Sequence, residues 1–419
     1  MGAMALRKRP PAGWIELLPA IVAFGFVLVV GLSGGGFFPR TWRLALLALL
    51  LVSAASLVAR DRIVLGRRDW VALGALGALA AWTAMSSRWS SLPTASLIES
   101  ERALLYAVAL LAVLVGVGPR DLPQLLSGAL AGVAGVGAYA LGRHVFSPPP
   151  LDPFQGAHLH EPFGYSNAIG IFFVLGIVLA VGLALAARSR SARLAALSPL
   201  LVLMPALYLT SSRGAWIALP VGVVACLFVG GAVRSRVALL SLLVVGVGVA
   251  IVLGSEGGQA LTVFGENRPH YWHVAWEDVE ANPALGSGAG TFGAFWLEHR
   301  TVNEFVHDAH SLFLESLAEL GPLGLALLVI GLGVPLLGLR RRQDPFVAAA
   351  AGAYAAFLLH AAVDWDWEFG AVGLVAILCS GALLAGTRPD RVQPISPPTR
   401  AALLVLLLVL GVVVATRLV

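Results

Sequence analysis

The chain alternates long apolar blocks with short polar interruptions. The blocks fall at Leu17–Leu32, Trp42–Ala59, Trp70–Ser86, Ala103–Gly118, Leu122–Leu141, Phe163–Ala187, Ala195–Thr210, Ala215–Val233, Val237–Gly254, Ser311–Leu339, Phe346–Val363, Gly370–Gly386 and Ala401–Thr416. A bilayer core takes about 17–25 apolar residues of helix. Backbone in lipid must satisfy its own hydrogen bonds, so each block is expected to be helical. The pattern predicts an all-α polytopic membrane protein, one integral membrane domain over 1–419 with about 12–13 transmembrane helices. Ser311–Leu339 is too long for one simple span, at roughly 43 Å of helix against a core of about 30 Å. Gly321-Pro322-Leu323-Gly324 interrupts it. An outer helical piece from about Asp308 to Leu320, a bend and then the span are expected.

The polar interruptions are of two kinds. Arginines cluster at Arg60, Arg62, Arg67 and Arg68, at Arg188, Arg190 and Arg193, and at Arg234 and Arg236. Further clusters are Arg340, Arg341 and Arg342, then Arg388, Arg391 and Arg400. With the N-terminus inside, all of them fall on the cytoplasmic side. The basic start Arg7, Lys8, Arg9 before the first block reads as an uncleaved signal anchor. The loops Gly31–Thr41, Ser87–Arg102 and Arg143–Pro162 then face outward, with 255–310 the longest. That large extracytoplasmic loop is expected to carry surface helices. One should open at Pro269, carry a stripe of Tyr271, Trp272, Ala275, Trp276 and Val279, end at Pro283 and lie on or near the membrane surface.

Composition agrees. Charged residues are 12% of the chain, about half of what soluble domains carry, which excludes a water-soluble fold. A net charge of +5 would suggest nucleic acid in a soluble protein; here the arginines orient the chain, and no nucleic-acid partner is expected. Cys226 and Cys379 lie inside apolar blocks and form neither a loop staple nor a metal cluster.

The chemistry-bearing residues gather on the outer face. Ser211-Ser212-Arg213-Gly214 makes a short turn; an interfacial arginine is commonly a snorkelling anchor. Arg268 opens the loop helix, beside Tyr271 and Trp272, and Arg88 lies in an outer loop. His307-Asp308-Ala309-His310-Ser311 precedes the bent block. His307 and His310 at this spacing suit a metal, yet no further ligand pattern accompanies them, so no metal is assigned. Glu315 and Glu319 share a helical face with Ser311, as helix support or a polar seam. Gly286-Ser287-Gly288-Ala289-Gly290 follows no strand and reads as a turn, not a nucleotide loop. Asp364, Asp366 and Glu368, with Trp365 and Trp367, read as an interfacial segment shaping a site. A transporter would need ionisable groups near the midplane, where His360 is a candidate but such residues are scarce.

Four stretches together resemble the O-antigen ligase and O-antigen polymerase superfamily of bacterial membrane glycosyltransferases. They are Phe163-Gly164-Tyr165-Ser166-Asn167, the Ser-Arg-Gly turn at Ser212–Gly214, the run from Arg268 and Trp272 to Gly288, and His310-Ser311 followed after nine residues by Gly321-Pro322-Leu323-Gly324. The last is ligase-like in order and spacing. The block Ala401–Thr416 goes beyond the family's twelve-span layout. The resemblance implies a multi-pass protein of the bacterial inner membrane with its site facing the periplasm. The implied donor is an undecaprenyl-diphosphate-linked glycan, and the acceptor is lipid A-core or another glycan; ligation is the first reading and polymerisation of repeat units the alternative. It further implies His310 as catalytic base and Arg213 and Arg268 as diphosphate binders. His307, Tyr271, Trp272, Asn167, Glu315 and Arg88 are supporting candidates, with no cofactor. The chemistry suits these residues: a departing diphosphate calls for planar guanidinium forks, and an acceptor hydroxyl for a base of near-neutral pKa.

Overall fold

The structure, a computed structural model, describes residues 14–147, 151–231, 267–340, 343–389 and 392–418. The expected span Val237–Gly254, the basic N-terminal start, the arginines Arg234, Arg236, Arg341, Arg342 and Arg391, and loop residues 255–266 lie outside them. Helices dominate: α1 (Trp14–Leu32), α2 (Pro39–Ala59), α3 (Arg67–Ser86), α4 (Pro93–Gly116), α5 (Leu122–Phe146), α6 (Ser166–Ala186), α7 (Arg190–Leu197) and α8 (Leu200–Thr210). They continue with α9 (Arg213–Val229), α10 (Arg268–Ala281), α11 (Phe292–His299), α12 (Leu312–Gly333), α13 (Pro345–Ala361), α14 (Gly370–Gly386) and α15 (Pro397–Thr416). No strand forms among the described residues, only two isolated bridges.

By length and composition, six helical stretches among the described residues can cross a membrane: Pro39–Ala59, Pro119–Phe146, Ser166–Ala186, Arg190–Thr210, Leu312–Gly338 and Pro397–Thr416. Shorter apolar helices accompany them. The chain is an all-α, multi-pass membrane protein.

Helices in lipid gain little from burying apolar groups against one another, so close backbone approach decides how they pack. Gly128 on α5 lies directly against the Ala20 backbone of α1, and Gly132, one turn on, against Val27. Gly222 on α9 and Gly352 on α13 face each other, and a methyl on either would strike the other's carbonyl. Helix α6 is the centre of the bundle, with 89% of its apolar stretch buried. At the periphery α15 packs on α2 and buries only Leu407 and Val414.

Three elements depart from the sequence expectation. Helix α4 starts at Pro93, ten residues before the apolar block at Ala103. The added turns stay helical because their polar groups are satisfied inside the protein, with Arg102 on Glu99 (3.0 Å) and the Ser96 hydroxyl donating to the Ala289 carbonyl (2.7 Å). The block Ala195–Thr210 begins earlier, at Arg190, and divides at Ser198-Pro199 into α7 and α8. Helix α10 forms where expected, but its buried face is not the whole stripe: Tyr271, Val274, Ala275 and Asp278 are buried, whereas Trp276 is exposed. The buried Asp278 carboxylate is satisfied on that face, where it accepts from the Ser287 hydroxyl (2.7 Å) and the Asn282 amide (2.8 Å). A hydrophobic stripe cannot report a buried aspartate.

The long block bends as expected. Gly321 has φ +66° and ψ −174°, a region that side chains avoid, and Pro322 has no N–H for the Ala318 carbonyl. The carbonyls freed by this break find partners elsewhere. The Ser287 and Gly288 N–H groups donate to Ala318 and Glu319 (3.1 and 2.8 Å), and the Trp82 indole donates to Leu320 (2.9 Å). The Gly286–Gly290 segment is therefore a turn that repairs a broken membrane helix. Glu319 completes the joint by accepting from the Gly290 and Phe292 N–H groups, 2.8 Å each, at the start of α11. The loop helices share a small core of their own, built on Tyr271, Val274, Phe292 and Trp296.

Candidate functional site

Only two non-glycine residues among the described ones have positive φ, Ser211 (+53°) and His310 (+54°). Left-handed backbone is costly for such residues and tends to persist where the surroundings enforce it at functional sites. Both fall in the motifs singled out from the sequence. Ser211 ends α8, after which Ser212 caps α9 with its hydroxyl accepting the Ala215 N–H (3.3 Å) and Arg213 opens that helix. His310 directly precedes Ser311, whose hydroxyl caps α12 by accepting the Leu314 N–H (3.4 Å).

His310 is held on several sides. Its Nδ1 lies 3.0 Å from the Asp308 carbonyl, which can only accept, so Nδ1 carries the proton and Nε2 keeps its lone pair. Its ring lies 4.9 Å from that of Tyr271 and 6.2 Å from that of Trp365, and the Trp272 indole reaches its carbonyl at 3.5 Å. Burial holds the ring below the ordinary histidine value, against the opposing pull of Asp364 and the Asp308 carbonyl. Burial is the main cause of this lowering.

Arg268 opens α10, where Pro269 fits the first turn. Its Nη2 meets the Asp364 Oδ2 at 2.5 Å, with the aspartate side chain fully buried. The other Asp364 oxygen accepts from the Tyr165 hydroxyl and the Trp365 N–H, both at 2.9 Å. Burial pushes this carboxyl up, but Arg268, then His360 and His310, outweigh it and hold it below its ordinary value. Asn167 donates to the Tyr165 hydroxyl (2.8 Å), and the Tyr165 ring stacks on Trp365 at 4.7 Å. Glu315 is buried and accepts the Ala309 N–H at 2.6 Å, fixing the backbone just before His310. The Ser-Arg-Gly turn abuts the same segment. A Cβ on Gly214 would stand 2.9 Å from the His360 Nε2, while His360 Nδ1 pairs with Asp366 at 3.0 Å.

A cavity of about 840 Å³ opens beside these groups. His307, Asp308, His310, Tyr271 and Trp365 line its polar part, and Leu76, Leu79, Leu328 and Leu332 line an apolar part between the helices. The structure thus draws together His310, Arg268, Tyr271, Trp272, Asn167 and Glu315, with Arg213 at the adjoining turn. His307 is exposed, lines the cavity and rests on the edge of Phe305 at 4.7 Å. Arg88 does not join them: it is exposed at the α3–α4 turn and lines no part of the cavity. Among the described residues no three His, Cys, Asp or Glu side chains converge as a metal cage, His307 and His310 included.

Sequence reasoning gave too little weight to three groups. Asp364 was read as part of a shaping segment, yet it is the partner of Arg268. Tyr165 stood in a motif without a role. Glu304, which accepts from the Tyr271 hydroxyl (2.5 Å) and the Asn267 amide (2.8 Å), had no local signal at all.

Fold and site define a multi-pass membrane protein with a polar, aromatic-lined cavity at the end of its helix bundle opposite the arginine-rich loops. Residues 199–329 match the family model described as O-Antigen ligase. The exopolysaccharide production protein ExoQ of Rhizobium meliloti (strain 1021) is 26% identical over 310 residues, 66% of this chain and 69% of that protein. Both likenesses support the resemblance to the O-antigen ligase superfamily.

Proposed function

We propose that this protein transfers a glycan from a polyprenyl-diphosphate donor to an acceptor hydroxyl on the periplasmic face of the bacterial inner membrane. The observation that carries the reading is one convergence. A neutral histidine with its Nε2 lone pair available and an arginine held on a buried carboxylate both adjoin the Asp364–Trp365 segment beside one cavity. In the reaction the acceptor oxygen attacks the anomeric carbon and the bond from that carbon to the diphosphate oxygen breaks. The acceptor proton passes to His310 Nε2, and polyprenyl diphosphate leaves. Arg268 and Arg213 stabilise the charge that develops on the leaving group, as guanidinium forks do well. The apolar part of the cavity suits a lipid-borne substrate.

Ligation to lipid A-core is the first reading, supported by the family described as O-antigen ligase. Polymerisation of lipid-linked repeat units is the second, favoured by the likeness to an exopolysaccharide production protein. Purified full-length protein should be given a lipid-linked donor with either lipid A-core or a second lipid-linked unit. Consumption of donor only in the presence of one of them names the reaction. Donor left intact with both acceptors would remove glycosyl transfer.

A further inference from the structure

The cavity lining is rich in carboxyl groups and poor in cations. Seven carboxylates line the cavity against a single arginine, Arg102, among the described residues; neither Arg213 nor Arg268 lines it. Arg102 is itself neutralised, paired with Glu99 at 3.0 Å and with Glu368. Its side chain is more than nine-tenths buried, yet its Nε has no hydrogen-bond partner, which leaves a donor in the chamber wall without an acceptor. Tyr271, Trp365 and Trp367 add aromatic surface to the lining.

A diphosphate would meet several carboxyl groups and no unpaired cation on such a wall, a poor match for its charge. Sugar hydroxyls are the complementary ligand. They donate to carboxylates, accept from an open guanidinium N–H, and leave the apolar face of the ring to lie on aromatic side chains. From this distribution of charge we infer that the carboxylate-lined chamber is the acceptor subsite, built for an uncharged or amino-bearing sugar and closed to one that presents phosphate or uronate. The inference rests on the transfer reading and deepens it: the donor diphosphate stays on the Arg268–Arg213 side, the acceptor enters from the acidic side, and His310 stands between them.

Burial, with Glu99 and Asp364 adding to it against Arg102, pushes Asp308 up to about 7. That fits a carboxyl able both to accept from and to donate to a hydroxyl near neutrality.

Equilibrium binding to the detergent-solubilised full chain, read by tryptophan fluorescence, tests this without turnover. Three probes are needed: a neutral gluco-oligosaccharide, the same oligosaccharide ending in a uronic acid, and a short-chain isoprenyl diphosphate. The neutral probe should bind at least about tenfold tighter than the uronate, a difference of roughly 1.4 kcal/mol. Asp308→Asn combined with Glu99→Gln should narrow the gap to about twofold and leave isoprenyl diphosphate binding unchanged. Equal or tighter binding of the uronate by the unaltered protein would overturn the inference, and that comparison needs no variant to fold. Failure of both oligosaccharides to bind, or displacement of the neutral one by isoprenyl diphosphate, would overturn it too. Glycan selectivity without any diphosphate binding would support the chamber and count against the donor assignment.

Discussion

The two ends of the bundle use arginine in opposite ways. At one end Arg60, Arg68, Arg388 and Arg400 reach across to the last carbonyls of neighbouring helices: Gly116 and Leu114 of α4, Thr387 after α14, and Leu57 and Val58 of α2, with Arg388 also paired to Asp69 (2.6 Å) and Arg60 to Asp121 (3.5 Å). Helix C-termini leave such carbonyls orphaned and carry partial negative charge, so these arginines act as caps. At the other end Arg268 rests on the buried Asp364 carboxylate beside a cavity. A carbonyl cap is permanent. A carboxylate partner next to open space holds a cation in position for an anionic ligand, with its desolvation already met by the fold. Charge counts along the sequence cannot separate the two kinds, because what differs is the cavity beside the partner.

The largest expected effect concerns which end is outside. A single cysteine at Glu298, an exposed position on α11, should react with an impermeant reagent in intact cells, and one at Arg190 should not. The reverse pattern would break both the topology and the chemistry drawn from it. Next comes the cavity end. Arg268→Ala should lower donor turnover by about 10²–10³-fold in protein that still folds, the range for losing a donor aimed at developing charge. Arg268→Lys should recover little of it, since an ammonium lacks the planar fork. A variant with full activity would place Arg268 among the structural arginines.

The smallest effect belongs to the capping end. Arg400 donates to Arg60 (2.6 Å), Val58 (3.2 Å) and Leu57 carbonyls. Arg400→Ala should cost about 1–2 kcal/mol of stability, seen as a lower melting temperature in detergent, with turnover of the folded enzyme unchanged. A drop in turnover with an unaltered melt would dissolve the distinction between the ends.

What the sequence disclosed follows from how strongly each feature is written locally. Apolar blocks and the Gly-Pro-Leu-Gly bend are continuous signals, and they appear nearly where expected. The His310 and Arg213 turns were legible as motifs, and both prove to be sites of left-handed backbone. The start of α4 was hidden because Glu99 and Arg102 look like loop residues until they are seen paired with each other along the helix, and Arg102 with Glu368 across the bundle. The face of α10 was misread for the same reason, a buried Asp278 satisfied by Ser287 and Asn282. Asp364 lies 96 residues from Arg268, and their pairing exists only in the fold. Tertiary satisfaction of charge was illegible each time; covalent and hydrophobic pattern was not.

The central claim is that His310 takes the acceptor proton, and single-turnover transfer with preloaded donor tests it most directly. Wild-type protein should lose rate as pH falls, with a midpoint below the ordinary histidine value, because burial lowers the pKa of the ring and the neutral form is the active one. His310→Ala should cut the rate by about 10²–10⁴-fold at neutral pH while donor binding persists, and His307→Ala should lose far less. A His310→Ala protein that transfers at the wild-type rate while His307→Ala is inactive would contradict the account.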